Sequence, residues 1–116
     1  MITETQKQLF EKGPVAMATV NEDGSPNVIA VAVKVFNETT IVITDNFMRL
    51  TKDTIPRDGR VCLGVWTEEE GYKFIGKAQY YAEGTWVDFV KSLEENNGYA
   101  AKGAIVVTIE KIIPLG

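Results

Sequence analysis

The sequence predicts a mainly β, single-domain protein: a small antiparallel barrel of about six strands with short helices at its ends and between strands. Three observations carry this. Turn signals recur every eight to twelve residues or so, the apolar residues between them alternate with period two, and the segments of helical spacing are short. A chain of 116 residues is long enough for one well-filled core, so residues 1–116 are expected to form one domain.

The elements follow in order. Thr3 with Gln6 three residues on reads as a capping box, so residues 4–12 are expected to be helical and to stop at Gly13-Pro14. Residues 15–20 read as a strand, and Asp23-Gly24 marks the hairpin turn after it. In the returning strand, residues 28–35, Ile29, Val31, Val33 and Val35 alternate with Val28, Ala30, Ala32 and Lys34. The branched set is suited to filling a barrel, while the alanines form a shallow floor with a lysine at its edge, on which something flat could lie. Residues 40–44 make a short strand, and the spacing turns helical from Phe47 to about Thr54, with Pro56 and Gly59 closing the helix. Strands are expected at 60–67 and 72–82, joined by the acidic tip Glu68-Glu69-Glu70-Gly71. Trp86, Phe89, Val90 and Leu93 then fall at i, i+3, i+4 and i+7, an amphipathic helix expected to cover one barrel opening and to end at Asn96-Asn97-Gly98. Residues 104–112 supply the last strand.

Composition excludes several classes of function. The chain has no histidine, which removes Ser-His-Asp and Cys-His triads and His-ligated zinc or haem iron. Its single cysteine, Cys62, can form neither an internal disulfide nor a thiolate cage, so the expected compartment is the cytoplasm. Cys62 lies in an apolar run and is expected to be packed and inert. A net charge of −4 opposes binding to nucleic acid. No apolar run approaches the length of a membrane span, and the N-terminus lacks the pattern of a secretory signal, so neither membrane nor export is expected.

The segment Thr44-Asp45-Asn46-Phe47-Met48-Arg49-Leu50-Thr51-Lys52 runs from a strand end through a polar turn into a helix that carries a hydroxyl and two cations. Free backbone N–H groups, a helix dipole and charge-assisted donors make a site for an anion such as phosphate, although the same residues also suit a merely solvated surface helix. Lys34 is too costly to bury unpaired, so it either reaches solvent or meets an anion. Trp86 and Phe89 are explained by core packing.

Three stretches together resemble the flavin-binding split-barrel family related to pyridoxamine 5'-phosphate oxidase. They are Ala16-Met17-Ala18-Thr19-Val20-Asn21-Glu22-Asp23-Gly24-Ser25-Pro26-Asn27-Val28, residues 44–61, and Ile75-Gly76-Lys77-Ala78, in that family's order and spacing. The resemblance implies a six-stranded antiparallel split barrel with short peripheral helices, a homodimer, and FMN in a cleft at each subunit interface. By the same resemblance Ala30, Val31 and Ala32 face the isoalloxazine ring, with Lys34 at its edge. Thr44, Asp45 and Asn46 run beside the ribityl chain and phosphate, and Arg49, Thr51 and Lys52 hold the phosphate. Tyr99 or Trp86 of the partner subunit is a candidate for stacking on the ring. Leu50 stands where close members carry a lysine, with Arg49 or Lys52 as substitutes.

The function implied is that of a flavin-dependent oxidoreductase or electron-transfer protein with a redox partner or small-molecule substrate. No residue is marked as a general acid or base. A non-enzymatic flavin carrier, sensor or interaction module is the alternative that Leu50 raises, and a deazaflavin is the alternative cofactor.

Overall fold

The computed structural model describes residues 1–45, 51–93 and 101–115, with residues 51 and 52 described as backbone only. Its β-strands are β1 (Val15–Val20), β2 (Pro26–Val31), β3 (Val33–Val35), β4 (Thr40–Asp45), β5 (Arg60–Trp66), β6 (Gly71–Tyr81) and β7 (Gly103–Pro114). The helices are α1 (Glu4–Lys12), α2 (Thr51–Arg57) and α3 (Thr85–Lys91). Among the described residues, no helix is long and apolar enough to cross a membrane.

All strands pair antiparallel in one sheet of order β2-β1-β5-β6-β7-β4-β3. The two terminal strands are consecutive in the chain and separated by Ala32 alone, so the ends of the sheet meet and it curls into a barrel. The run expected as one strand is thus two. Residues 26–31 pair with β1 and residues 33–35 pair with β4, and the chain has to re-aim its hydrogen-bonding edge at Ala32 to change partners. This raises the strand count from the expected six to seven, and it leaves each half with a sheet partner on one side only, the split in the barrel.

Local signals hold as expected. Thr3 and Gln6 form the capping box, with Gln6 N–H donating to Thr3 Oγ1 at 3.1 Å and Thr3 N–H to Gln6 Oε1 at 3.0 Å. Gly24 takes φ 88°, the left-handed conformation that the β1–β2 turn requires. Ile29, Val31, Val33 and Val35 point inward, against a core that includes Met17, Ile41, Ile43, Leu63, Phe74, Ile105 and Val107.

Helices close the ends of the barrel. Leu9 and Phe10 of α1 enter the core from one end, Phe10 packing on Phe74 with ring centroids 4.7 Å apart. Ile55 of α2 enters from the other end, where Arg57 Nη2 donates to the Val20 carbonyl at 3.2 Å. The start expected for α2 at Phe47 falls outside the described residues. Pro56 lies within this helix rather than ending it, because proline removes only its own N–H: Asp58 N–H still donates to the Thr54 carbonyl at 2.8 Å.

The position of α3 departs from expectation. It covers no barrel opening; it lies on the outer face of β4 and β7, where Val87 and Val90 pack against Val42 and Ala104. The outward residues of those strands are apolar and need a cover, while both openings are already filled. Val87 and Val90 are the buried residues of α3, and Trp86 and Phe89 are only half-buried, meeting the exposed Phe36 at centroid distances of 5.0 and 5.6 Å. The helix end expected at residues 96–98 lies outside the described residues.

Candidate functional site

The bend at Ala32 creates the first part of the site. Ala30 and Ala32 are exposed on the outside of the barrel, whereas Val31 and Val33 turn inward. Lys34 stands opposite Val42 on the outer face of β4. Extending the β3–β4 register by one step beyond Val33↔Ile43 sets Ala32 beside Thr44, whose half-buried side chain shares that face. The alanine floor, Lys34 and Thr44 are therefore contiguous, although ten or more residues separate Thr44 from them in the chain. Val31, Ala32 and Lys34 also line a cleft of about 550 Å³ with Phe10, Glu11, Gly13, Pro14 and Val33.

The second part is the end of β4. Asp45 is fully buried and turned to the inside of the barrel, where the Tyr80 hydroxyl donates a hydrogen bond to Asp45 Oδ2. Burial, then the hydrogen bond and negative charge of Asp45, and then the charge of Asp53 push the Tyr80 phenol well above its ordinary range. The backbone of Asp45 is held as well, its carbonyl accepting from Lys102 N–H at 2.7 Å. Gly103, opposite Asp45 in the ladder, gives the phenol its space: a Cβ there would stand 2.6 Å from Tyr80 Cζ and closer still to its oxygen. Tyr80 also lines a second cleft, of about 460 Å³, between α2 and β6, together with Ile55, Pro56, Gly59, Ala78, Gln79 and Tyr81.

Six of the ten candidate residues are thus located with their side chains. Ala30, Ala32, Lys34 and Thr44 share the outer surface, Val31 forms the inner wall of the same bend, and the carboxylate of Asp45 faces away from them into the barrel. Thr51 and Lys52 open α2, while Asn46, Arg49 and Tyr99 lie outside the described residues. Trp86 is packed with Phe36 and Phe89.

Sequence reasoning missed Phe10, Glu11 and Tyr80. The signal for Tyr80 was present: Phe74, Gly76, Ala78 and Tyr80 are the inward positions of β6, and a phenol at such a position needs an acceptor. Nothing local in α1 points at a strand twenty residues away. Cys62, expected in the core, instead lies half-buried on the outer face of β5, because Val61, Leu63 and Val65 take the inward positions. Burial raises its thiol pKa, and nearby Lys73 opposes that rise.

Comparison with known proteins places this geometry in context. A family description of pyridoxamine 5'-phosphate oxidase matches residues 2–115. The uncharacterized protein MJ0282 of Methanocaldococcus jannaschii is 32% identical over 120 aligned residues, covering 98% of this chain and 80% of the relative. Among solved structures, Group A Streptococcus HupZ superposes with a TM-score of 0.91 at 24% identity, covering 99% of this chain and 94% of that one. An FMN-binding protein from Syntrophomonas wolfei superposes with a TM-score of 0.76 at 16% identity, covering 95% of this chain and 83% of the other.

Proposed function

Because the chain belongs to the pyridoxamine 5'-phosphate oxidase family, matched from residue 2 to residue 115, we propose that it binds FMN on the outer surface around Ala32. On this reading it is a flavin-dependent oxidoreductase or electron-transfer protein of the cytoplasm. The observation that carries the proposal is the contiguity of the exposed alanine floor with Lys34 and Thr44. A flat ring system needs a floor without large side chains and polar groups at its rim, and these residues fit that need.

Ala30 and Ala32 would face the ring with Val31 supporting them from inside. Lys34 would stand at the ring edge and favour negative charge there. Thr44 and Asn46 would run beside the ribityl chain, and Arg49, Thr51 and Lys52 would hold the phosphate by charge-assisted hydrogen bonds. Asp45 belongs to this set through its backbone, since its carboxylate is taken up by Tyr80. The bound flavin would supply hydride or electron transfer to a small-molecule substrate or redox partner. The chain's own part is to hold it, orient it and leave one ring face accessible. We propose further that the protein works as a homodimer with the flavin at the subunit interface.

Parallel titrations with FMN and riboflavin, read by quenching of flavin fluorescence, test this. The expected result is tight binding of FMN, weaker binding of riboflavin, and loss of that preference in Arg49→Ala/Thr51→Ala at unchanged flavin-free thermal stability. A wild-type protein that quenches neither flavin would overturn the proposal, and undiminished FMN affinity in the double variant would overturn the phosphate assignment.

A further inference from the structure

Tyr80 stands between two parts of the proposed flavin site. On one side its hydroxyl donates to the buried carboxylate of Asp45, the last residue of β4 and the neighbour of Thr44. On the other it lines the cleft between α2 and β6 with Ile55 and Pro56, and the charge of Asp53 in α2 reaches its phenol. Only residues 46–50 separate Asp45 from Thr51, the first residue of α2, so the place of the strand end limits where α2 can begin.

The exit of α2 is held by contacts in which Tyr80 takes no part. Arg57 Nη2 donates to the Val20 carbonyl at 3.2 Å, and Ala78 N–H donates to the Gly59 carbonyl at 2.7 Å. The entry depends on β4. Its last residue is held by the ladder to β7, by Lys102 N–H on the Asp45 carbonyl at 2.7 Å and, through the side chain, by Tyr80. A strand end held by main-chain bonds alone is prone to fray, and the phenol opposes that from inside the barrel. The fold leaves room for this clamp at Gly103, where a Cβ would stand 2.6 Å from Tyr80 Cζ.

We infer that Tyr80 is a positioning residue for phosphate recognition: by clamping Asp45 it sets the place of Thr44 relative to the start of α2, and so the preference for a flavin that carries a phosphate. The inference rests on the flavin reading above and adds to it the residue that makes the site select FMN. Tyr80 acts through Asp45 and not on the flavin itself. The alanine floor and Lys34 are placed by the pairing of β2 with β1 and of β3 with β4, which do not involve β6. Loss of the hydroxyl therefore leaves the ring site intact and disturbs the groups that meet the phosphate, where charge-assisted hydrogen bonds demand close geometry.

The test measures dissociation constants for FMN and riboflavin by fluorescence quenching on the full flavin-free chain. Tyr80→Phe keeps the ring and removes the hydroxyl; its FMN affinity is expected to fall by about tenfold or more while riboflavin binding is unchanged. Gly103→Ala, which displaces the phenol without altering it, is expected to lower the preference for FMN in the same direction, and it decides the matter should Tyr80→Phe misfold. Val65→Ala, a buried position toward the end of β5 away from α2, is the control for lost stability alone and is expected to keep the wild-type preference. An unchanged preference in folded Tyr80→Phe, equal losses for both flavins, or the same loss of preference in Val65→Ala overturns this inference and leaves the flavin proposal standing. A wild type that binds neither flavin overturns both.

Discussion

Tyr80 donates its phenolic hydrogen to the buried carboxylate of Asp45, tying the middle of the sheet to the strand end from which the chain leaves for α2. The two residues are 35 apart in sequence. Their meeting depends on Gly103, which stands across the ladder from Asp45 and leaves the ring its space.

The bond makes stability sensitive to alkali. The folded-state pKa of the phenol is raised above the ordinary 10.0, so its contribution is complete below that pH and is lost as the pH rises through the folded value. Thermal melts between about pH 9 and pH 11 (one unit to either side of an ordinary phenol's pKa) are expected to show a fall at the alkaline end that is smaller in Tyr80→Phe. At neutral pH the same variant, which leaves a buried carboxylate short of a donor, is expected to lose about 1–3 kcal/mol. Equal alkaline slopes in the two proteins would show that Tyr80 is not the group responsible.

Gly103→Ala is expected to destabilise the protein more than an ordinary surface substitution. The new methyl group would meet the Tyr80 ring and also the Tyr81 carbonyl, 2.8 Å away, so both the phenol and the ladder must shift. Forced overpacking of this kind costs about 1–3 kcal/mol, readable in urea denaturation. Combining it with Tyr80→Phe should cost less than the sum of the two, since the first change already disturbs the Tyr80–Asp45 bond. Strict additivity would separate Gly103 from that bond.

Acid acts elsewhere. Arg60 donates to both carboxylate oxygens of Asp58, at 3.0 and 2.7 Å, and its backbone N–H donates as well, holding the carboxyl down at about 2. A depressed carboxylate contributes stability above its ordinary value of 3.8 and loses it as the pH falls through about 2. Asp58→Asn is therefore expected to flatten the acid limb of a melting-temperature profile between those values and to lower the neutral-pH melting temperature by the amount that limb loses, a small change because the Arg60 side of the pair is exposed. An unchanged acid limb would assign the loss to other carboxylates.

Much of the fold could be read locally because its causes are local. The capping box needs only Thr3 and Gln6, and the β1–β2 turn needs only a residue that accepts positive φ at position 24. The inward set Ile29, Val31, Val33 and Val35 follows from alternation, which carries through the bend at Ala32 even though the strand pairing does not. The helical stripe of residues 86–93 was equally visible, but a stripe states only that a helix has an apolar side. It does not say whether that side meets a barrel opening or the outer face of β4 and β7, where it was found.

The candidate site divides in the same way. Small residues at Ala30 and Ala32, a cation at Lys34 and a hydroxyl at Thr44 are properties of the chain, set by the residues themselves and their alternation. That Ala32 lies beside Thr44, that the carboxylate of Asp45 turns inward to Tyr80, and that Cys62 faces out among alanines were decided by strand register. Register joins segments far apart in the sequence and is selected by the packing of the whole barrel. A one-residue slip in any ladder would exchange inside for outside, so no single segment carries enough information to choose it.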